Sequence, residues 1–335
     1  MPAAEALFYD KRDDGKVDCH LCPHECRGIV EGKTGVCRVR RNVGGTLMSL
    51  VYGEVTSVNL DPIEKKPLYH FHPGSDILSI GTWGCNFHCA FCQNWQISQQ
   101  ETATESVTVD EIAALAGRDG SIGAAYTYNE PTIWYEFVLA CAEALKERGL
   151  VNVLVTNGFI NPGPAERWLA VIDALNIDIK SMDDAFYREQ TGGRLQPVLD
   201  AAVQAKKHAH VEITNLVIPT LNDTDEDFRR LAKWMAEHLG RQTPLHLSAY
   251  FPRYRLKVGP TGAQTLERAR EICAAELDYV YLGNVAGAEG HDTLCRSCGA
   301  TLVSRTGYRV RRVHLKGPGC SRCGARSDLI TGDAD

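Results

Sequence analysis

The sequence predicts an α/β protein built on a partial (β/α)6 TIM-like barrel, with a small cysteine-rich extension before it and a zinc-ribbon-like module after it. Three observations lead there. Short β-branched runs alternate with helical patterns through the middle of the chain, which implies a parallel sheet covered by helices. Polar and charged residues collect where those runs end. Eleven of the 13 cysteines fall into three tight groups, two of them outside the alternating region.

The strand runs begin at Ile77 (ILSIG), Ile122 (IGAAYT), Val151 (VNVLVT), Ala174 (ALNIDIK), His210 (HVEITNLVI) and Pro244 (PLHLSAY). A seventh apolar run, YVYLG, starts at Tyr279 after the last helix. Helical patterns lie near 108–117, 132–149, 162–173, 183–208, 224–240 and 263–276. Six repeats are too few to close an eight-fold barrel, so an open one is expected. Asn161 before Pro162 and Thr224 with Asp227 are helix starts, and Gly149 and Gly240 are stops. The expected units are 1–76, a cysteine-rich region with lead-in strands; 77–290, the barrel; and 291–335, the ribbon.

Hydrophobic residues make up 44% of the 335 and charged ones 23%, which is ordinary for a globular protein with a sizeable core. The net charge of −6 argues against wholesale coating of nucleic acid or anionic membrane. No apolar run reaches the length of a membrane span, and the start MPAAEALFYDKRDDGKVD has no signal-like apolar stretch. A cytoplasmic protein is expected. In that reducing setting, grouped cysteines read as metal ligands or catalysts rather than disulfides. Cys141 and Cys273, both solitary and within helical patterns, read as core residues.

In α/β architectures chemistry gathers at the C-terminal ends of the strands. Here those ends carry Cys85, Cys89 and Cys92, then Asn129 and Glu130, Thr156 and Asn157, Asp178 and Lys180, Asn215, and Ser248. The first three, in GTWGCNFHCAFCQNWQ, have C-x3-C-x2-C spacing. Three thiolates are one short of a closed four-ligand site. A cubane [4Fe-4S] cluster on three cysteines leaves one iron open to an external ligand bearing an amine and a carboxylate. S-adenosylmethionine is such a ligand. The competing reading is zinc with His88 as fourth ligand.

The motif CNFHCAFC followed by a partial barrel resembles the radical S-adenosylmethionine (radical SAM) superfamily over about residues 77–285. The resemblance implies that Cys85, Cys89 and Cys92 hold a [4Fe-4S] cluster and that the chain cleaves S-adenosylmethionine to a 5′-deoxyadenosyl radical. YTYNEPT stands where the superfamily binds the methionyl amine, which marks Asn129 and Glu130, although the usual glycine pair is missing. The DIK of Asp178–Lys180 resembles a strand-four motif of glycyl-radical activating enzymes and implies contacts to the amine or ribose and to the carboxylate. The bland alternative for Asp178 and Lys180 is a mutual ion pair. Thr156, Asn157, Asn215 and Ser248 complete the cofactor-binding candidates.

The whole chain is also similar to the radical enzymes of the AmmeMemoRadiSam system, through CHLCPHECRGIVEGKTGVCRVR, IEKKPLYHFHPGS, LVIPTLND and YLGN. These are pyruvate formate-lyase activating enzyme-like, and the resemblance implies Memo-like and AMMECR-like partners; an electron donor such as flavodoxin or ferredoxin is expected. The substrate stays open between an organic or peptidyl molecule and a glycine on a partner protein. A non-catalytic, zinc-stabilised binding module is the third reading.

Cys295, Cys298, Cys320 and Cys323 form C-x2-C-x21-C-x2-C, a strong zinc-ribbon signal around a hairpin-like segment. The segment is basic, but it has no aromatic row for stacking bases. Cys19, Cys22, Cys26 and Cys37 also suffice for a closed site, for which zinc and an auxiliary iron–sulfur cluster are equally plausible. His70 and His72 alternate as on one strand face.

Overall fold

The computed structural model describes residues 4–118, 120–285 and 290–332. Its centre is one open eight-stranded sheet in sequence order. The strands are β1 (Ser57–Pro62), β2 (Asp76–Gly81), β3 (Ser121–Tyr126), β4 (Val151–Thr156), β5 (Ala174–Asp178), β6 (His210–Val217), β7 (Leu245–Ala249) and β8 (Val280–Gly283). β2 to β8 are parallel throughout, and β1 pairs antiparallel with β2. The seventh apolar run is thus a full member of the sheet, as β8. The lead-in is continuous with the barrel, because β1 hydrogen-bonds to β2 along its whole length.

The covering helices are α1 (Val109–Ala116), α2 (Tyr135–Glu147), α3 (Pro162–Leu169), α4 (Leu195–Lys206), α5 (Asp225–His238) and α6 (Ala263–Ala274). Their apolar faces pack with the parallel strands in one large core, while Ile77, Ala125, Val153 and Ala174 of the strands join Ile63, Leu68 and Phe71 in a second, smaller one. Cys141 and Cys273 are fully buried within it. Thr224 and Asp227 form the expected reciprocal cap of α5. Asn161 does not cap α3 with its side chain; its amide donates to the His20 carbonyl and to Glu25 in the N-terminal region.

The single helix expected over 183–208 is broken. A short turn at Asp184–Phe186 runs into a π-type turn at Tyr187–Thr191, and α4 starts only at Leu195. Gly192 has φ +76°, and Gly193 lies so close to Phe87 that a Cβ there would sit 2.2 Å from the ring. Contact with another loop therefore overrides local helix propensity.

His70 and His72 share no strand face. His70 is fully buried with Nε2 2.7 Å from the Tyr281 hydroxyl, while His72 has φ +46° in a bend. The neighbouring backbone seals the lower barrel: the N–H groups of Tyr69 and His70 donate to Glu212 at 3.0 and 2.7 Å. Glu212 also meets His210 at 2.9 Å and His246 at 2.6 Å, so this buried carboxylate is fully satisfied.

The C-terminal hairpin, Thr301–Thr306 with Arg309–Val313, is antiparallel as expected. Its Arg305 is buried, donating to the Tyr69 carbonyl at 2.6 Å and facing Glu64 at 3.5 Å. Ile330 exchanges backbone hydrogen bonds with His70 and His72. The module is thereby fastened to the lead-in beside β8.

Candidate active site

The barrel opens at the C-terminal ends of β2 to β8 into a cavity of about 490 Å³, within the usual range for small-ligand sites. Cys85, Cys89 and Cys92 line it, together with Asn129, Glu130, Thr156, Asn157, Asp178, Lys180 and Ser248. Most sequence-predicted residues are therefore brought together. Asn215 is not: it is buried and its amide donates to the Ile179 carbonyl at 2.8 Å. On β6 the alternate residues Thr214 and Leu216 face the cavity, so the expectation missed by one position of a two-residue period.

The cysteine loop is held from several sides. Gly84 N–H donates to the Ile97 carbonyl at 2.8 Å and closes the loop. His88 and Ala90 N–H donate to Thr191 and Gln190 of the π-type turn at 2.7 and 2.9 Å, which is what the broken helix provides. Arg255 and Leu256 N–H reach the Ala90 carbonyl from beyond β7. His88 is exposed and, unlike the three cysteines, does not line the cavity, which argues against it as fourth metal ligand; its Nδ1 lies 2.9 Å from Gln99 Oε1. Burial pushes all three thiols up, Cys89 to about 12, so metal binding must release their protons.

Glu130 caps the short Pro131–Trp134 turn and is almost completely buried. One carboxylate oxygen accepts from Thr132 N–H at 3.0 Å, Thr132 Oγ1 at 2.7 Å and Thr156 Oγ1 at 2.7 Å. The other accepts from Asn157 N–H at 2.8 Å. Burial pushes the carboxyl up, against the pull of these four donors. Two of them are backbone N–H groups, which can only donate, so the surroundings are built for the anion. The Asn157 amide continues the chain to Asn86 Oδ1 at 2.9 Å, and Cys85 Sγ lies 3.8 Å away.

Asn129 turns its side chain on the cysteine loop, accepting from Thr82 N–H and donating to the Gly84 carbonyl, both at 3.0 Å. Its neighbour Tyr128 has φ +71°, a left-handed conformation in which glycine is the usual occupant. Tyr128 is held there from both ends. Its hydroxyl donates to Asp61 at 2.7 Å, and Asn94 donates to its carbonyl at 2.8 Å. The backbone turn survives the loss of the glycine pair because the tyrosine is anchored. Gly81 allows the close approach on the facing strand, since a Cβ there would meet the Thr127 carbonyl at 2.5 Å.

Lys180 Nζ lies 2.9 Å from Asp178. Burial alone would lower the ammonium pKa; Asp178 and the Cys89 sulfur outweigh it and raise it, so Lys180 stays charged. The ion pair and the cavity position coexist: both residues of the pair line the cavity.

The sequence reading missed Asp61, Lys66, His246 and Tyr308. Lys66 is buried 2.7 Å from Asp61, while His246 and Tyr308 line the cavity from β7 and the C-terminal hairpin. The polar cluster in DPIEKKP, inside an otherwise apolar lead-in, was the available signal.

The Radical SAM superfamily model matches residues 79–235. An uncharacterized protein of Methanocaldococcus jannaschii is 43% identical over 334 residues, covering 97% of this chain and 99% of that one.

The chain belongs to the radical SAM superfamily.

Within that superfamily it is similar to the pyruvate formate-lyase-activating enzyme of Clostridium pasteurianum, at 27% identity over 44% of this chain and 65% of the relative. It is also similar to a putative glycyl-radical enzyme activating enzyme of Methanocaldococcus jannaschii, at 24% over 63% and 80%. A solved radical SAM methyltransferase from Sphaerobacter thermophilus shares the fold, with TM-score 0.52, 14% identity, and coverage of 87% of this chain and 81% of that one. Radical SAM membership implies a [4Fe-4S] cluster and S-adenosylmethionine, and makes the chain an enzyme rather than a non-catalytic module. The three cavity-lining thiols, with an ion pair and an anionic carboxylate around the same space, fit those groups. Among the described residues no helix is long and apolar enough to cross a membrane.

The C-terminal cysteines are a different kind of site. Their four sulfurs all lie within 4.8 Å of one another, with Cys295–Cys323 at 3.7 Å and Cys298–Cys320 at 3.8 Å. Metal–sulfur bonds of about 2.3 Å in a tetrahedron set sulfurs about 3.8 Å apart, so the group can hold a single ion.

Proposed function

We propose that this radical SAM enzyme binds a [4Fe-4S] cluster through Cys85, Cys89 and Cys92 and acts on an organic or peptidyl substrate in an AmmeMemoRadiSam-type system. When bound, the cluster and S-adenosylmethionine together supply one-electron cleavage to a 5′-deoxyadenosyl radical, which takes a hydrogen atom from the substrate. The observation that carries the reading is the convergence of the three thiols, Glu130, Asn157, Asp178 and Lys180 on one cavity.

The protein's own part is to bind, orient and exclude water. Lys180 is the partner for the methionyl carboxylate, and Asp178 for the amine or ribose hydroxyls. Glu130 and Asn129 act mainly by fixing the cysteine loop and the Asn157 amide, and Thr156 supports Glu130. Ser248, next to Gly283, lines the same cavity. Tyr308 lines the cavity from the hairpin side. Zinc suits the C-terminal sulfurs, in a structural role. A reducing cytoplasm, a flavodoxin or ferredoxin as donor, and Memo-like and AMMECR-like proteins as partners belong to the same reading.

The names of the relatives favour a second reading, in which the hydrogen donor is a glycine of a partner protein. Anaerobic reconstitution, reduction and addition of S-adenosylmethionine test the shared chemistry. The expected result is 5′-deoxyadenosine from the wild type, none from Cys89→Ala, and retained turnover with lower thermal stability from Cys298→Ala. Equal behaviour of the two variants would overturn the division into catalytic and structural cysteines. Deuterium transfer from a glycyl-loop peptide to the adenosine product would select the second reading.

A further inference from the structure

We infer that Cys19, Cys22, Cys26 and Cys37 hold an iron–sulfur cluster, and not a zinc ion, directly behind the cysteine loop of the active site.

The four thiols line one small enclosed cavity, which Arg40 also borders. They come from separate local structures. Cys19 and Cys26 face each other across the antiparallel pair Val17–Cys19 and Cys26–Ile29, Cys22 sits in the turn between them, and Cys37 follows the loop after Gly35. Gly35 packs tightly on the Cys26 sulfur, which a Cβ there would approach to 3.1 Å. Val36 N–H points at that sulfur at 3.4 Å, and His24 and Val39 backbone N–H groups bond to the sulfurs of Cys22 and Cys37. Backbone N–H groups turned onto sulfur stabilise metal-bound thiolates and tune cluster potentials.

Spacing separates the two kinds of metal. Among the described residues only the C-terminal group gathers its ligand atoms within 4.8 Å, as a single tetrahedral ion demands. The N-terminal four line one cavity without forming such a group, and neither do Cys85, Cys89 and Cys92. A cluster places several iron and sulfide atoms between its thiolates, so its ligand sulfurs do not gather as those of a single ion do.

The two cages share a wall. The His24 ring, between Cys22 and Cys26 in sequence, donates from Nε2 to the Asn86 carbonyl at 2.7 Å, one residue from Cys85. Asn161, four residues beyond Asn157, donates to the Leu21 and His20 carbonyls, and Arg194 donates to the Pro23 carbonyl at 2.6 Å. The neighbour relation rests on the function proposed above; the assignment of the N-terminal site does not.

The test uses the full chain, reconstituted anaerobically with iron and sulfide, as wild type and as the Cys85→Ala/Cys89→Ala/Cys92→Ala triple variant. The variant leaves the N-terminal cage untouched. Iron and acid-labile sulfide are expected to fall about twofold in the variant, with a reducible iron–sulfur signal in electron paramagnetic resonance and Mössbauer spectra. The wild type should then show two magnetically interacting clusters, because the cages adjoin. Two zinc ions per chain and no iron in the triple variant would overturn the inference. Equal iron in both proteins would instead overturn the assignment of the active-site cluster and leave this one standing. Cys22→Ala/Cys26→Ala in the triple background should remove the remaining iron; retained iron would overturn the ligand set.

Discussion

Replacing Glu130 by glutamine keeps its shape and inverts half of its hydrogen-bonding character. The carboxylate accepts four hydrogen bonds, three on one oxygen and one on the other. The amide nitrogen must face one of these sets. The cheaper choice is to point it at Asn157 N–H, which sets donor against donor and leaves that buried N–H unpaired. A buried donor stripped of its acceptor costs about 1–3 kcal/mol, and a bond to a charged group contributes about 1.5–3 kcal/mol. Relief of the carboxylate's own burial offsets part of this. The expected local loss is therefore about 2–3 kcal/mol, at the joint that carries Asn157 and, through it, Asn86 beside Cys85. Hydrogen–deuterium exchange reads this directly. Opening that is 2–3 kcal/mol cheaper speeds exchange of a peptide spanning 154–160 by roughly 30- to 160-fold. S-adenosylmethionine affinity should fall with it. Exchange within threefold of wild type would refute the idea that Glu130 acts by holding the Asn157 amide, even if turnover were lost.

Two further outcomes follow from the same geometry. Gly193→Ala places a Cβ 2.2 Å from the Phe87 ring, an overpacking worth about 1–3 kcal/mol. It should lower iron loading at the active-site loop, and Phe87→Leu in the same chain should restore it; failure of that rescue would show that the contact is not the cause. For Asp61, burial would raise the carboxyl, but Lys65, Lys66 and the Tyr128 hydroxyl overcome it and hold the pKa well below the ordinary range. Stability from this group is therefore present above the unfolded carboxylate pKa of about 3.9 and lost as pH falls through the lower folded value. Thermal melts from pH 7 down to about pH 3 should show a stability gap between wild type and Asp61→Asn that narrows toward the acid end. A gap independent of pH would refute the ionic role.

Much of the site could be read locally. The spacing of Cys85, Cys89 and Cys92 and the polar residues at strand ends mark the barrel mouth, because a parallel strand buried on both faces stays apolar until its chain leaves the sheet. Asn215 failed for a reason of parity: adjacent strand residues face opposite sides, and a run buried on both sides carries no alternation to tell which side is the cavity. Asp61 and Lys66 failed because a lead-in segment reaches the site only by pairing with β2. The helix expected across 183–208 failed because Phe87, some hundred residues earlier, occupies the space a side chain on Gly193 would need.

The sequence by itself determined the alternation of strands and helices, the three cysteine groups and a trio of thiols one short of a closed four-ligand site, since each depends on residues close together in the chain. The tertiary structure decided how Tyr128 keeps a left-handed turn without glycine, which face of β6 meets the cavity, and that the N-terminal cysteines lie against the loop of Cys85. Those features depend on distances between segments brought together only by packing, and the chain's local pattern does not encode such distances.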